Sequence, residues 1–160
     1  MIKGVLTSVD ASFFIGGIDM AYDGYLVQVA TSNTDSSPYT IPLTFIKADS
    51  YKIAKKIQDL DSYRDANGIL HRNALSHVPY KLEFECVPML TNTEMSAIMA
   101  NIRAKFSTPE ERKTYVKAYV PEDDVYIAQD MYMPDIDFQM YYADSTKIQY
   151  DATRFAFIGY

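Results

Sequence analysis

The segment YRDANGILHR, residues 63–72, concentrates side chains that could do chemistry. The chain has two histidines, His71 and His77, six positions apart in a stretch rich in turn-forming residues. Because histidine and carboxylate groups bind zinc, these two residues and Asp65 form a conceivable metal site. Their spacing matches no recognised ligand pattern, so we predict neither a metal nor a cofactor.

Nucleophilic catalysis needs a nucleophile, a base and a group that orients the base. Ser76 precedes His77, but adjacent side chains seldom share one site. The single cysteine, Cys86, alternates with charged residues, which is typical of a small core residue on a strand. Acid pairs such as 123–124 lie in predicted turns, where solvated carboxylates are common. We predict a protein that is not an enzyme; an enzyme that depends on His71 or on a carboxylate pair remains an alternative.

Signals for phosphate or nucleic-acid binding are weak. Gly16-Gly17 has neither the spacing of a phosphate loop nor a following Lys-Ser/Thr, and indicates a turn. The formal charge of -6 argues against a general basic surface for nucleic acid. An acidic surface weakly repels DNA, which suits a surface along which DNA passes without specific binding.

Length and composition fit one domain over residues 1–160, with residues 1–40 as a possible N-terminal extension on a 41–160 core. Apolar residues make up 48% of the chain, enough for a core. One cysteine excludes an internal disulfide. We find neither a secretory signal nor an apolar stretch long enough for a membrane-spanning helix, and expect no membrane partner. Fourteen tyrosines favour strands and contact surfaces.

Strand-favouring patterns recur along the chain. In the third of these segments, 51–58, the spacing of Ile53, Ile57 and Leu60 also permits a helix. The predicted strands are 25–30, 39–46, 51–58, 80–86, 114–120, 125–133, 138–142 and 148–160.

The one clear helix is predicted over about 91–106. Thr91 and Glu94 form a capping box, and an apolar stripe follows at helical spacing. Asn67-Gly68 predicts a hairpin with a type I′ turn. One helix among strands gives an α+β, mostly antiparallel β fold, either a β-sandwich or a split barrel with one flanking amphipathic helix.

The run DLDSYRDANGILHR, then YKLEFECVPMLT and TNTEMSAIMANI, resembles a family of small tail proteins of siphophages and prophages of Gram-positive bacteria. The likeness covers about 45–160. The positions that carry it are Arg64, Ala66, Gly68, Arg72, Leu90, Thr91 and Glu94.

This resemblance implies a non-enzymatic virion protein, assembled in the host bacterial cytoplasm. It would form a homo-oligomeric ring, hexameric or trimeric, in the tail tube or the baseplate/distal tail, beside neighbouring tail proteins. Alternatives are a head-tail neck or connector protein and a β-rich module that binds carbohydrate or a host surface. The expected inter-subunit docking hairpin comprises Tyr63, Arg64, Asn67, Gly68, His71 and Arg72. The resemblance also favours a strand over 51–58, which would lead into that hairpin.

Overall fold

A computed structural model describes residues 22–160. The turn expected at Gly16-Gly17 lies outside them. The elements before the helix are β1 (Val27–Ala30), β2 (Tyr39–Thr40), β3 (Lys52–Lys55), β4 (Asp59–Arg64), β5 (Leu70–Ala74), β6 (Tyr80–Glu85) and β7 (Leu90–Thr91). The helix and later strands are α1 (Asn92–Arg103), β8 (Lys113–Val120), β9 (Val125–Tyr132), β10 (Met140–Ala143), β11 (Ile148–Tyr150) and β12 (Arg154–Gly159).

A seven-stranded sheet in the order β2-β1-β8-β9-β12-β6-β3 forms the body, and its strand pairs are antiparallel. Alternating residues of its strands point to one face of the sheet, and their side chains are buried there. Phe84 and Phe155, cross-strand partners on β6 and β12, stack with ring centroids 5.5 Å apart. The other large side chains that this face buries are Val27, Val29, Leu82, Val116, Met131 and Phe157.

The predicted amphipathic helix is confirmed, with a shorter end. The Thr91 hydroxyl accepts a hydrogen bond from the Glu94 amide, and the Glu94 carboxylate accepts one from the Thr91 amide. The stripe then buries Met95, Met99 and Ile102 in the core. The α-helix ends at Arg103 and not near 106 because the amides of Lys105 and Phe106 bond carbonyls three residues back, which tightens the chain into a 3₁₀-type turn.

The mostly antiparallel α+β prediction is confirmed, and of its two alternatives the open sheets fit the sandwich-like fold. A three-stranded sheet, β10-β11-β7, lies beside the helix, and the sheets of residues 22–160 do not close into a barrel. The proposed domain organisation stays a prediction. Within residues 22–40, β1 lies inside the large sheet between β2 and β8.

Three strand predictions differ most from the structure in their extent. The run 148–160 forms two strands, β11 and β12, because β11 joins the three-stranded sheet and β12 joins the large sheet. The segment 39–46 forms a strand only at Tyr39–Thr40, because Pro42 lacks an amide hydrogen and its carbonyl accepts from Phe45 to close a turn. The segment 51–58 is extended, as predicted, but its strand covers only Lys52–Lys55. No helix of residues 22–160 is long and apolar enough to cross a membrane.

Candidate assembly interface

A long two-stranded ribbon leaves the body at β3 and β6. β3 and β6 pair from Lys52–Glu83 to Lys55–Tyr80, and β12 pairs with β6 on its other side. Beyond them, the Lys56 amide bonds the Pro79 carbonyl at 2.8 Å, and the chain continues into β4 and β5. The outer part, residues 59–74, is called the distal hairpin below.

The distal hairpin has no side chain in the core of the described chain. Every residue of β4 and β5 is exposed, and β4 alone spans about 20 Å. Tyr63 pairs with His71 and Arg64 with Leu70, so Tyr63 and Leu70 lie on opposite faces. The large apolar side chains at least 40% exposed on and beside this hairpin are Ile57, Leu60, Tyr63, Ile69, Leu70 and Leu75. Residues 22–160 therefore leave apolar groups exposed on both faces of the distal hairpin.

The tip is ordered by one carboxylate. Asp65 accepts hydrogen bonds from the amides of Asn67 (2.9 Å) and Ile69 (3.0 Å). The Gly68 amide bonds the Asp65 carbonyl, and Gly68 has φ +80° while Asn67 has a negative φ. The predicted hairpin is therefore present, but the predicted type I′ turn is wrong: this is a longer loop with one left-handed glycine.

Both arginines of the predicted docking set have partners inside the hairpin. Arg72 donates two hydrogen bonds to the Asp59 carboxylate, at 3.0 and 2.8 Å. This contact raises the pKa of Arg72 above its ordinary value. Arg64 donates to the Gly68 carbonyl at 2.8 Å. Among the described residues no carboxylate lies within ion-pair distance of Arg64, so its charge is not matched by an acid there.

His71 stacks on Tyr63, with ring centroids 4.9 Å apart, and its Nε2 lies 3.0 Å from Asp65 Oδ2. The His71 contact lowers the pKa of Asp65, and the Ile69 and Asn67 amides lower it further. His77 instead contacts the Tyr160 carbonyl, so the two histidines are not brought to one site. No group of three potential metal ligands occurs between residues 22 and 160.

Cys86 lies in the hydrophobic core, and its sulfur accepts a hydrogen bond from the Thr153 amide. Its side chain is buried, and burial raises the pKa of its thiol. A cavity of about 370 Å³ lies beside the C-terminal end of α1, lined by Met99, Phe106 and Met133. At its rim Arg112 pairs with Asp135 at 3.0 Å. Neither place assembles a nucleophile with a base.

A second exposed apolar surface was not predicted. β10 is exposed throughout, and Met140, Tyr141 and Tyr142 project from it. The alternation of Phe138, Met140 and Tyr142 indicated a strand, but periodicity does not tell which face meets solvent. The signal that could have found this surface is Tyr141, which puts an apolar side chain on the second face as well.

A family model described as "Family of unknown function (DUF6711)" matches residues 20–160. The chain belongs to this family. No curated protein matches it. Membership of DUF6711 therefore assigns no activity to the chain.

A solved structure described as "Tail of empty GTA particle computed with helical refinement, C6 symmetry" is similar to this DUF6711 chain at 11% identity and a TM-score of 0.47. The match covers 86% of this chain and 91% of the other. A likeness of this size carries no argument about function.

Proposed function

We propose that this DUF6711 chain is a non-enzymatic structural protein that assembles as a homo-oligomeric ring in a phage-type tail. The distal hairpin carries the proposal. It exposes apolar side chains on both faces along about 20 Å, and a monomer gains nothing from such a segment. In a ring of copies, a neighbour would bury these side chains.

The charge distribution supports a structural role. The chain has a net charge of -6, which fits a surface that DNA passes without adhering. The charges of the distal hairpin are mostly used to order it, as in Arg72 on Asp59 and Asp65 at the tip. Such a hairpin can dock as a preformed element, because little conformational entropy remains to be lost on binding.

We propose that the ring lies in the tail tube or in the baseplate/distal tail. The resemblance of about 45–160 to small siphophage and prophage tail proteins supports a tail tube or baseplate/distal tail ring, inside the virion. A head-tail connector has the same requirement for a ring interface. We infer a tail location from the resemblance, and ring formation from the exposed hairpin.

A carbohydrate-binding module is the second candidate, because Tyr141 and Tyr142 are both exposed on β10. Aromatic faces of this kind can contact a sugar ring. Binding to a glycan array that is lost in Tyr141→Ala, by a protein that stays monomeric, would favour this candidate over the ring.

Light scattering after size exclusion and negative-stain microscopy test the ring. Wild-type protein at high concentration is expected to form closed rings. Leu60→Asp and Arg64→Glu on the distal hairpin should give folded monomers, while Leu43→Asp, at an exposed leucine of the body, should still assemble. A wild-type protein that stays monomeric at every concentration contradicts the proposal.

A further inference from the structure

The three-stranded sheet ends on an open edge. β10 pairs with β11 on one side, and no strand of residues 22–160 pairs with its other side. Its side chains are exposed on both faces, with Tyr141 at 60%. An exposed apolar strand edge is a template for another strand, and proteins that stay monomeric blunt such edges with charges, proline, bulges or short strands. MYYA carries neither a charge nor a proline, although its register with β11 shifts between Met140 and Tyr142.

The distal hairpin offers a strand with the matching property. In the described part of the chain β5 pairs only with β4, so its outer edge has unused amide and carbonyl groups. Leu70 and His71 lie on opposite faces of β5, and both are exposed. Among the strand edges that lack a partner within residues 22–160, those of β10 and β5 carry exposed apolar side chains, Tyr141 on β10 and Leu70 on β5.

We propose that β5 of one copy pairs with the open edge of β10 in a neighbouring copy, which extends that sheet from three strands to five. The pairing rests on the self-assembly proposed above and names the surface that the distal hairpin occupies. Because the contact joins two different patches, it is heterologous, and repeated copies close into a ring or continue as a filament.

Charge argues against the simplest competitor, a pair of two β10 strands. Asp137 and Asp144 flank β10, and antiparallel self-pairing would bring one of each to both ends of the pair. Asp144 is charged at neutral pH: hydrogen bonds from the Thr146 hydroxyl, from its amide and from the Lys147 amide lower its pKa to about 2. Like charges at both ends disfavour this dimer.

Charge also selects β5 over β4. β4 contains Asp59 and Asp61, whereas β5, with the sequence LHRNA, contains no acid and carries Arg72. The surroundings of β10 are acidic, so β5 fits them better. Because Arg72 is already paired with Asp59, the acid of β4 that would oppose those beside β10 is Asp61.

Cysteine cross-linking between two differently tagged copies tests the pairing. One copy carries Tyr141→Cys or Tyr142→Cys, and the other carries a single cysteine at each position of β5 in turn. Paired strands lie about 4.8 Å apart, within the reach of a disulfide. Native Cys86 is buried and does not compete. We expect mixed disulfide dimers with β5 cysteines under mild oxidation by air.

The matched control is Asp61→Cys, which lies on β4, one strand further from β10. It should not cross-link. Tyr141→Cys that dimerises with itself would establish the β10 pair and overturn the proposal. Cross-linking to Asp61→Cys in preference to β5, or no cross-linking at any β5 position, overturns it too.

A second variant separates this inference from the proposed function. Tyr141→Lys places a charge on the open edge. Combined with Tyr142→Cys, it should abolish the β5–β10 cross-link without changing the thermal melting of the monomer. If wild-type rings form and no β5–β10 cross-link is found, this pairing is wrong and the ring stands. If the wild type never assembles, both fail.

Discussion

Arg72 holds Asp59 in a two-point contact, with Nε 3.0 Å from Oδ2 and Nη2 2.8 Å from Oδ1. The pair ties the middle of β5 to the first residue of β4. Arg72 belongs to the predicted docking set, and within the chain it is already paired with an acid. The contact therefore stiffens the distal hairpin before any partner arrives.

We expect Arg72→Gln to loosen the base of the distal hairpin. Bidentate arginine–carboxylate contacts are geometrically specific, and glutamine cannot replace both hydrogen bonds. Amide hydrogen exchange in β4 and β5 should become faster near residue 59, measured by mass spectrometry or NMR. Arg64→Gln, the control, removes only the contact to the Gly68 carbonyl and should act at the tip. Equal exchange in wild type and Arg72→Gln would contradict this role.

Gly68→Val should open the tip because Gly68 has φ +80°. A Cβ there would meet no atom within 4 Å, so the cost comes from the backbone conformation alone. Left-handed backbone costs an ordinary residue about 1–2 kcal/mol. We expect faster exchange at the amides of Gly68 and Ile69 in the valine variant. Gly68→Asn should resemble the wild type, since asparagine tolerates this conformation; identical behaviour of valine and asparagine would refute the strain argument.

Local signals in the sequence were the most informative. Thr91 and Glu94 predicted the start of α1, because the capping contacts span only three residues. The hairpin at Asn67-Gly68 was predicted, but its turn type was not, because the Asp65 carboxylate bonds two loop amides and selects a longer loop.

The sheet to which β10 belongs was beyond sequence reasoning. Which sheet a strand joins is decided by contacts far apart in the chain, and β10 pairs with β11 outside the large sheet. Arg72 could be placed on the hairpin from the sequence, but its pairing with Asp59 depends on the register across β4 and β5.

Thr91→Ala should lower the free energy of unfolding by about 1 kcal/mol, because it removes the acceptor for the Glu94 amide at the N-cap. Urea denaturation followed by circular dichroism measures the loss. Thr93→Ala, two residues into the helix, is the matched control and should stay within about 0.5 kcal/mol of the wild type. The expectation fails if both variants lose the same amount.

The loop between β1 and β2 should give an acid-dependent stability. Asp35 accepts hydrogen bonds from the Thr31 and Ser37 amides and from Lys105, and these hold its pKa well below its ordinary value. Its stabilising contribution is therefore complete above the unfolded pKa of about 4 and is lost as the pH falls through the lower folded pKa.

Unfolding of the wild type and of Asp35→Asn, measured from neutral to acidic pH, checks this. The wild type should be the more stable at neutral pH, and the difference should shrink as the pH falls below about 4. Asp61→Asn, at an exposed carboxylate of the distal hairpin, gives the baseline for removing a surface charge. A difference between wild type and Asp35→Asn that grows in acid would reverse the sign of this argument.

Two leucines of one ribbon should behave in opposite ways. Leu82 on β6 is fully buried, and Leu60 on β4 is 70% exposed. Leu82→Ala should lower the free energy of unfolding by about 2–5 kcal/mol, since it leaves a cavity beneath the large sheet. Leu60→Ala should stay within about 0.5 kcal/mol of the wild type.

Assembly should depend on Leu60. In Leu60→Ala the truncated side chain loses its contact with a neighbouring copy in the ring, but it loses no core contact within the monomer. Denaturant unfolding of dilute protein and light scattering of concentrated protein separate the two effects. The expected result is a folded Leu60→Ala protein that assembles more weakly than wild type. If Leu60→Ala destabilises the monomer as much as Leu82→Ala does, the distal hairpin belongs to the fold's own core and its role in docking is lost.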